Sequence, residues 1–264
     1  LTEGSLESIE KKVEEKKDKL LEILIIELGK EKAQKHINRL SDYYIISTPI
    51  DDIVKHVKLE DKLLSSNDKF SVDFEKNTGA GYSNIVIAVR DIDNPLLIIT
   101  GILSYLGINI LTAYSFERND GVYLVDLQIS TSSLEAVDES KFNRFVEILE
   151  NVMKEPSYFE KITVKRPKGF KASTVPPPIF VKIDNEMSEG YTIFDVSAED
   201  RIGLLFDIIR VFASFDIYVH MVKASTQGLR ARDSFYVRTK NKEKITDTTL
   251  LKAVQEKLLE VIKS

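Results

Sequence analysis

The sequence predicts an α+β fold in which two copies of a small ββαββα unit follow a helical N-terminal segment. Three observations carry that prediction. From about residue 70, short runs rich in β-branched and aromatic residues alternate with helical patterns in the order strand, strand, helix, strand, strand, helix, and the same order then returns. The two copies align without a gap, because Asp91 matches Asp200 and Ile110 matches Val219, both at an offset of 109 (200 − 91 and 219 − 110). Before residue 66, apolar residues recur instead at helical spacing within a dense run of Lys and Glu.

Each element follows from its own pattern. Leu6, Ile9, Val13, Leu20, Leu24 and Leu28 form the apolar stripe of a first helix that Gly29 closes. A second helix is expected over 30–46, with Ile37, Leu40 and Tyr44 on one face. Thr48-Pro49 reads as an N-cap with proline at the first helical position, and Ile50, Ile53, Val54 and Val57 give the apolar face of a third helix. In the first copy, strands are expected at 70–74, 84–91, 108–118 and 122–130, the last two turned by Asn119-Asp120-Gly121, with helices at 95–106 and 138–154. Residues 166–178, basic and then Pro-rich, read as a linker. The second copy has strands at 179–183, 191–200, 217–226 and 231–239 and helices at 203–215 and 246–262. The expected organisation is therefore 1–66 helical, 67–165 first repeat, 166–178 linker and 179–264 second repeat.

The last helix leaves the second copy without a closing strand. Strand 179–183, upstream of the rest, could fill that slot and give a permuted βαββαβ module. In the first copy 70–74 could do the same, although "FEKITVK" (159–165) competes as a conventional last strand.

Composition limits the functional classes. With 43% hydrophobic residues in 264, a sizeable core can be buried. The 37 basic and 42 acidic residues leave a formal charge of −5, which argues against a general nucleic-acid surface. Tyr123, Phe235 and Tyr236 lie on strands but not in an RNA-stacking motif, and read as core and sheet residues. The absence of cysteine excludes disulfides, thiolate metal sites and a cysteine nucleophile. His36, His56 and His220 form no metal-binding spacing, and no metal or cofactor is implied. His220 reads as a packing residue. No apolar run is long enough to span a bilayer and no signal-peptide pattern opens the chain, so a cytoplasmic protein is expected, with no membrane partner. Gly81-Tyr82-Ser83 with Asp91-x-Asp93 imitates a nucleotidyltransferase signature, but 84–90 is itself the strand and leaves no room for the helix that motif needs. No catalytic residue is assigned.

The stretch "SAEDRIGLLFDIIRVFASFDIYVH" (197–220) carries the chemistry. A strand ends at Asp200-Arg201, meets Gly203 and turns into an apolar helix. The first amides of a helix have no intrahelical partner and favour an anion. Gly203 would let a carboxylate approach them. Asp200 could accept from an ammonium or amide, and Arg201 could face a carboxylate. The plain alternative is that Asp200 caps the helix and Gly203 serves the turn alone.

The repeat and the Asp200-Arg201-Ile202-Gly203-Leu204 turn resemble the ACT domain, a ferredoxin-like amino-acid-sensing module whose family pattern at the first strand–helix junction is Asp-Arg-Pro-Gly-Leu. Ile202 replaces the proline. The first copy departs further, with Asp91, Asp93 and Asn94 in "DIDNPLL" (91–97), while Gly107 and Asn109 in "LGINI" match the downstream element. More narrowly, "RLSDYYIISTPIDDIVKHVKL" (39–59), "STVPPPIFVKID" (173–184) and 229–262 resemble the tandem ACT region that ends the bifunctional PII uridylyltransferase/uridylyl-removing enzymes.

The resemblance implies a regulatory module that senses a small amino acid, glutamine first, with Asp200, Arg201, Ile202, Gly203, Leu204, Asp91, Asp93, Asn94 and Asn109 as candidate ligand-binding residues. ACT domains commonly hold ligands between paired copies, so an intramolecular pair or a homodimer is expected. A PII-type protein or catalytic domains are the implied protein partners. Two alternatives stay open: a piece of the uridylyltransferase that docks on catalytic domains outside this sequence, and a ligand-free dimerisation module.

Overall fold

The computed structural model describes residues 3–118, 120–162, 178–228 and 230–263. Four helices come first: α1 (Glu3–Leu28), α2 (Lys30–Ile37), α3 (Asp42–Ser47) and α4 (Ile50–Leu64). The first repeat follows as β1 (Phe70–Asn77), β2 (Tyr82–Val89), α5 (Pro95–Tyr105), β3 (Asn109–Glu117), β4 (Tyr123–Ser130) and α6 (Glu139–Lys154). The second repeat is β5 (Phe180–Asp184), β6 (Thr192–Glu199), α7 (Leu204–Ser214), β7 (Ile217–Gln227), β8 (Arg230–Thr239) and α8 (Thr248–Ile262). The chain makes two compact units, one of Leu1–Asp73, Ile87–Asp91 and Phe116–Leu124, the other of Phe74–Val86, Ile92–Ser115 and Val125–Ser264.

In the first unit, Val13, Leu20 and Leu24 of α1 are buried, as the heptad-like stripe requires. The side chains of Leu6 and Ile9 lie outside the described residues. The single helix expected over 30–46 is two. Arg39 and Leu40 bond back three residues to His36 and Ile37, and the hydroxyl of Ser41 then accepts from the Tyr44 amide at 3.2 Å, capping α3. A serine hydroxyl that satisfies an orphan amide competes with continuous helix, and here it wins. Thr48 does not cap α4 either, because it ends α3, while Pro49 holds the N-cap position without a side-chain bond.

The eight strands form one sheet in the order β1-β2-β4-β3-β7-β8-β6-β5. Each repeat contributes a half in which the upstream strand flanks the second strand at the outer edge. β5 runs antiparallel to β6, pairing Val181 with Val196 and Ile183 with Phe194. The slot left by the terminal helix is thus filled from upstream, and the module is permuted. Of the competing "FEKITVK" strand, 159–161 belong to a 3₁₀ helix, Pro156–Lys161, and the rest, like the linker, lies outside the described residues apart from Ile162 and Pro178. Asn119 of the expected turn is also outside them.

β7 pairs antiparallel with β8 along its length, Val222 opposite Phe235 and Ala224 opposite Asp233, with a bulge between Val219 and Met221. Strand alternation makes Phe194, Phe235 and Val222 one row of the buried face. Phe212 of α7 meets Phe194 and Phe235 at ring distances of 5.2 and 5.3 Å. Helix α7 lies beside α5 and packs on β7, and α8 packs on β5. β3 and β7 join the two repeats at the middle of the sheet, where the Ser115 hydroxyl accepts from the Val222 amide at 3.1 Å.

Candidate functional site

The strand-to-helix junction of the second repeat is built on a residue that has no side chain. Gly203 is the N-cap of α7 with φ 84°, a left-handed conformation that costs glycine little. A Cβ at this position would lie 2.6 Å from the Ser104 hydroxyl of α5, so space as well as dihedral demands glycine. In the first repeat Asn94 occupies the equivalent N-cap (203 − 94 = 109) with φ 50°, followed by Pro95 at the first helical position. Asparagine tolerates this conformation better than most residues, so the turn geometry is kept while the side chain returns.

Asp200 does not cap α7. Its carboxylate accepts from Asn109 Nδ2 at 3.3 Å, which brings the head of β3 in one repeat against the end of β6 in the other. The Thr226 side chain and the Arg201 amide also bond to Asp200. Arg201 instead reaches Asp207 at 2.8 Å and the carbonyl of Val261 at 3.4 Å, and Arg210 shares Asp207 at 3.1 Å.

Asp200, Arg201, Gly203, Leu204 and Asn109 line a common cavity together with Ser104 and Asp233. It has about 20 Å³ of room for water-sized groups. Since a single water needs about 10–15 Å³ by this measure, the cavity holds one small polar group and not a whole amino acid. Burial dominates its electrostatics. Asp200 is 7% exposed and its carboxyl is raised above the usual range, burial outweighing the hydrogen bonds from Asn109, Arg201 and Thr226. Asp233, on the inward row of β8, is pushed up to about 7; burial raises it most, the Ser225 amide at 3.3 Å opposes, and the charge of Asp200 adds. Neither carboxyl forms an ion pair with a described residue. The Ser104 hydroxyl, on a residue 3% exposed, has no hydrogen-bond partner among the described residues.

The remaining candidates lie elsewhere. Ile202 is buried but does not line the cavity. Asp91 and Asp93 are exposed and, with Asn94, take no part in it. Ser104, Thr226 and Asp233 were not among the candidates. Asp233 was readable as a charged residue in the inward alternation Ala231-Asp233-Phe235-Val237, whereas nothing in the sequence marks Ser104.

A second cavity, with about 30 Å³ of such room, lies in the first unit and is lined by Arg39, Tyr44, Glu60 and Arg118 among others. Its charges are matched internally. Arg118 pairs with buried Glu60 and with Asp120, and Arg39 pairs with Asp120 at 3.1 Å. Tyr44 Oη and His56 Nδ1 lie 2.6 Å apart, and Tyr44 packs edge-on against Phe116. Burial and the neighbouring Arg118 lower the His36 pKa. Among the described residues no cluster of His, Cys, Asp or Glu could hold a metal ion, and no helix is long and apolar enough to cross a membrane.

Comparison with known proteins agrees with this architecture. Residues 180–264 match the family model "ACR9-like, ACT-like domain". The bifunctional uridylyltransferase/uridylyl-removing enzyme of Bradyrhizobium sp. (strain ORS 278) is 27% identical over 234 residues, 87% of this chain and 25% of that protein. That of Zymomonas mobilis is 28% identical over 233 residues, 84% of this chain and 24% of that protein. The chain therefore spans about a quarter of the length of the curated relatives it matches. Among solved structures, aspartate kinase from Synechocystis aligns with a TM-score of 0.38 and 18% identity over 70% of this chain and 27% of the kinase, too distant to guide the reading of the site. Residues 180–264 thus match an ACT-like domain, the second half of an internal repeat in a chain similar over most of its length to the bifunctional uridylyltransferase/uridylyl-removing enzymes.

Proposed function

We propose that the chain is an amino-acid-sensing regulatory module, with glutamine as the first ligand to test, and that its site is the Gly203 junction, whose cavity takes one polar group of the ligand while the rest lies outside it. The observation that carries this reading is the bond between Asn109 of one repeat and Asp200 of the other at the mouth of a helix whose first turn is opened by a left-handed glycine. A ligand there touches both repeats at once. It can bias how they pack if it binds one arrangement more tightly than another, and only to that extent. The carboxylate of the ligand belongs with the first amides of α7, where the helix dipole favours negative charge. Arg201 is committed to Asp207, and its part is to hold the turn. The relatives' names suggest what the module regulates, a uridylyl-transferring or uridylyl-removing activity, and the resemblance of the sequence to the tandem ACT region of the PII uridylyltransferases makes a PII-type protein the downstream partner of this reading.

The test is isothermal titration with glutamine, glutamate, serine and the branched amino acids, on the chain and on Gly203→Val and Asn109→Ala, with circular dichroism to check that each variant folds. Saturable heat with one amino acid, lost in Asn109→Ala, is the expected result. Its absence across the panel would favour the docking piece or the dimerisation module.

A further inference from the structure

Four polar side chains of the cavity are buried, and three of them, Asp200, Asp233 and Ser104, offer more acceptor positions than the described hydrogen bonds use. Asp200 and Asp233 are 7% and 6% exposed, Asn109 is 2% and Ser104 is 3%. An ionised carboxylate offers about four acceptor positions. Asp233 has one described donor, the Ser225 amide, and Asp200 has Asn109, Thr226 and the Arg201 amide. The charged groups around them do not compensate. Arg201, the cation lining the cavity, is turned to Asp207; across the sheet Asp233 faces Val196 of β6 and Ala224 of β7, and α5 contributes Thr100 and Ser104, both neutral. The Thr100 hydroxyl is spent on the Leu96 carbonyl at 2.7 Å, whereas the Ser104 hydroxyl has no described partner. What is left over is two carboxyls and one hydroxyl around a space of one water-sized group.

We propose that Asp233 is a specificity-determining residue of this cavity: with Asp200 and the Ser104 hydroxyl it receives a primary ammonium group, so that the site takes amines and rejects ligands carrying a hydroxyl in the same place. This rests on the sensor reading above and assigns the part of the ligand that is read most strictly. An ammonium has three donors and no acceptor, which matches three surplus acceptors, and its size matches about 20 Å³. A carboxylate in the same space would face two carboxyls, and a hydroxyl would leave at least one of them buried and uncompensated. Because the free site holds a proton on Asp233 up to about pH 7, and the ammonium needs that oxygen ionised, binding displaces the proton. Affinity is therefore expected to rise from about pH 6 to about pH 8.

The experiment is titration calorimetry of the whole chain with L-glutamine, with its 2-hydroxy analogue, and with ethanolamine, at both ends of that pH range and in two buffers of different ionisation enthalpy. Asp233→Asn and Ser104→Ala are run beside it, each first shown to melt cooperatively. The expected result is glutamine bound at least about tenfold more tightly than the hydroxy analogue, with proton release near neutrality, and both the preference and the pH dependence reduced in Asp233→Asn. Equal binding of glutamine and the hydroxy analogue, or an Asp233→Asn variant that keeps affinity and pH profile, would overturn the inference and leave the sensor standing. Ethanolamine bound with proton release while no amino acid binds would support the ammonium site and overturn the sensor. Silence from all three ligands would overturn both.

Discussion

Asp233 is a carboxyl buried at a cost to stability. A carboxyl whose folded-state pKa is raised makes the native state bind more protons than the unfolded state, between the ordinary carboxylate range near 4 and its folded value of about 7. Stability is therefore expected to fall as pH rises through that window and to level off above it, with Asp200 contributing in the same direction. Urea denaturation at about pH 5 and about pH 8 would read this directly, and Asp233→Asn, neutral at both, should show the smaller difference. A steeper slope in the variant would mean that another group carries the effect. Gly203 makes the opposite kind of demand, for space. Even Gly203→Ala combines an unfavourable dihedral with a Cβ at 2.6 Å from Ser104 Oγ, so a loss of at least about 1 kcal/mol is expected in thermal or urea unfolding. The double variant with Ser104→Ala should recover the steric part alone. Asp200 and Gly203 were legible as a candidate junction from their place between strand and helix. The contact of Asp200 with Asn109 was not, since it joins residues 91 positions apart.

At the scale of elements, local chemistry decided boundaries that apolar periodicity could not. Ile37, Leu40 and Tyr44 lie on one helical stripe, and Leu40 and Tyr44 are both buried, yet the helix stops between them because Ser41 caps a new one. Ser41→Ala should cost about 1 kcal/mol, seen as a lower melting temperature with little loss of helical signal. An unchanged midpoint would show that packing of Tyr44 against Phe116, and not the cap, fixes α3. The alternation in β8 was equally readable, and it put a carboxylate on the inward row, where apolar residues are the rule. A local rule broken without local compensation commonly marks a functional position.

At the scale of the molecule, β3 and β7 meet in the middle of the sheet, so the tandem copies complete one another's edge. Residues 178–264 expressed alone would bare β7, an 11-residue strand with unpaired backbone donors and acceptors. Self-association of that piece is the expected outcome, with a second β7 taking the place of β3, and sedimentation velocity over a concentration series measures it. A piece that stays monomeric and folded would show that the β7 edge is protected by its own side chains.

The sequence by itself determined the repeat, the order of its strands and helices from residue 70 onward, the α+β class and the strand-to-helix turn at Asp200 to Leu204, because hydrophobic period, turn residues and self-similarity are local properties that a chain carries in order. It also contained the means of permutation, a spare strand upstream of each copy and, in the second, a terminal helix with no strand after it. Tertiary structure alone decided which strand filled the slot, that Arg201 spends its charge on Asp207, and that Asn109, Ser104, Asp200 and Asp233 surround one space. Those outcomes depend on sheet order and helix packing, which bring together side chains from α5, β3, β8 and the end of β6, and no spacing along the chain encodes a distance across the fold.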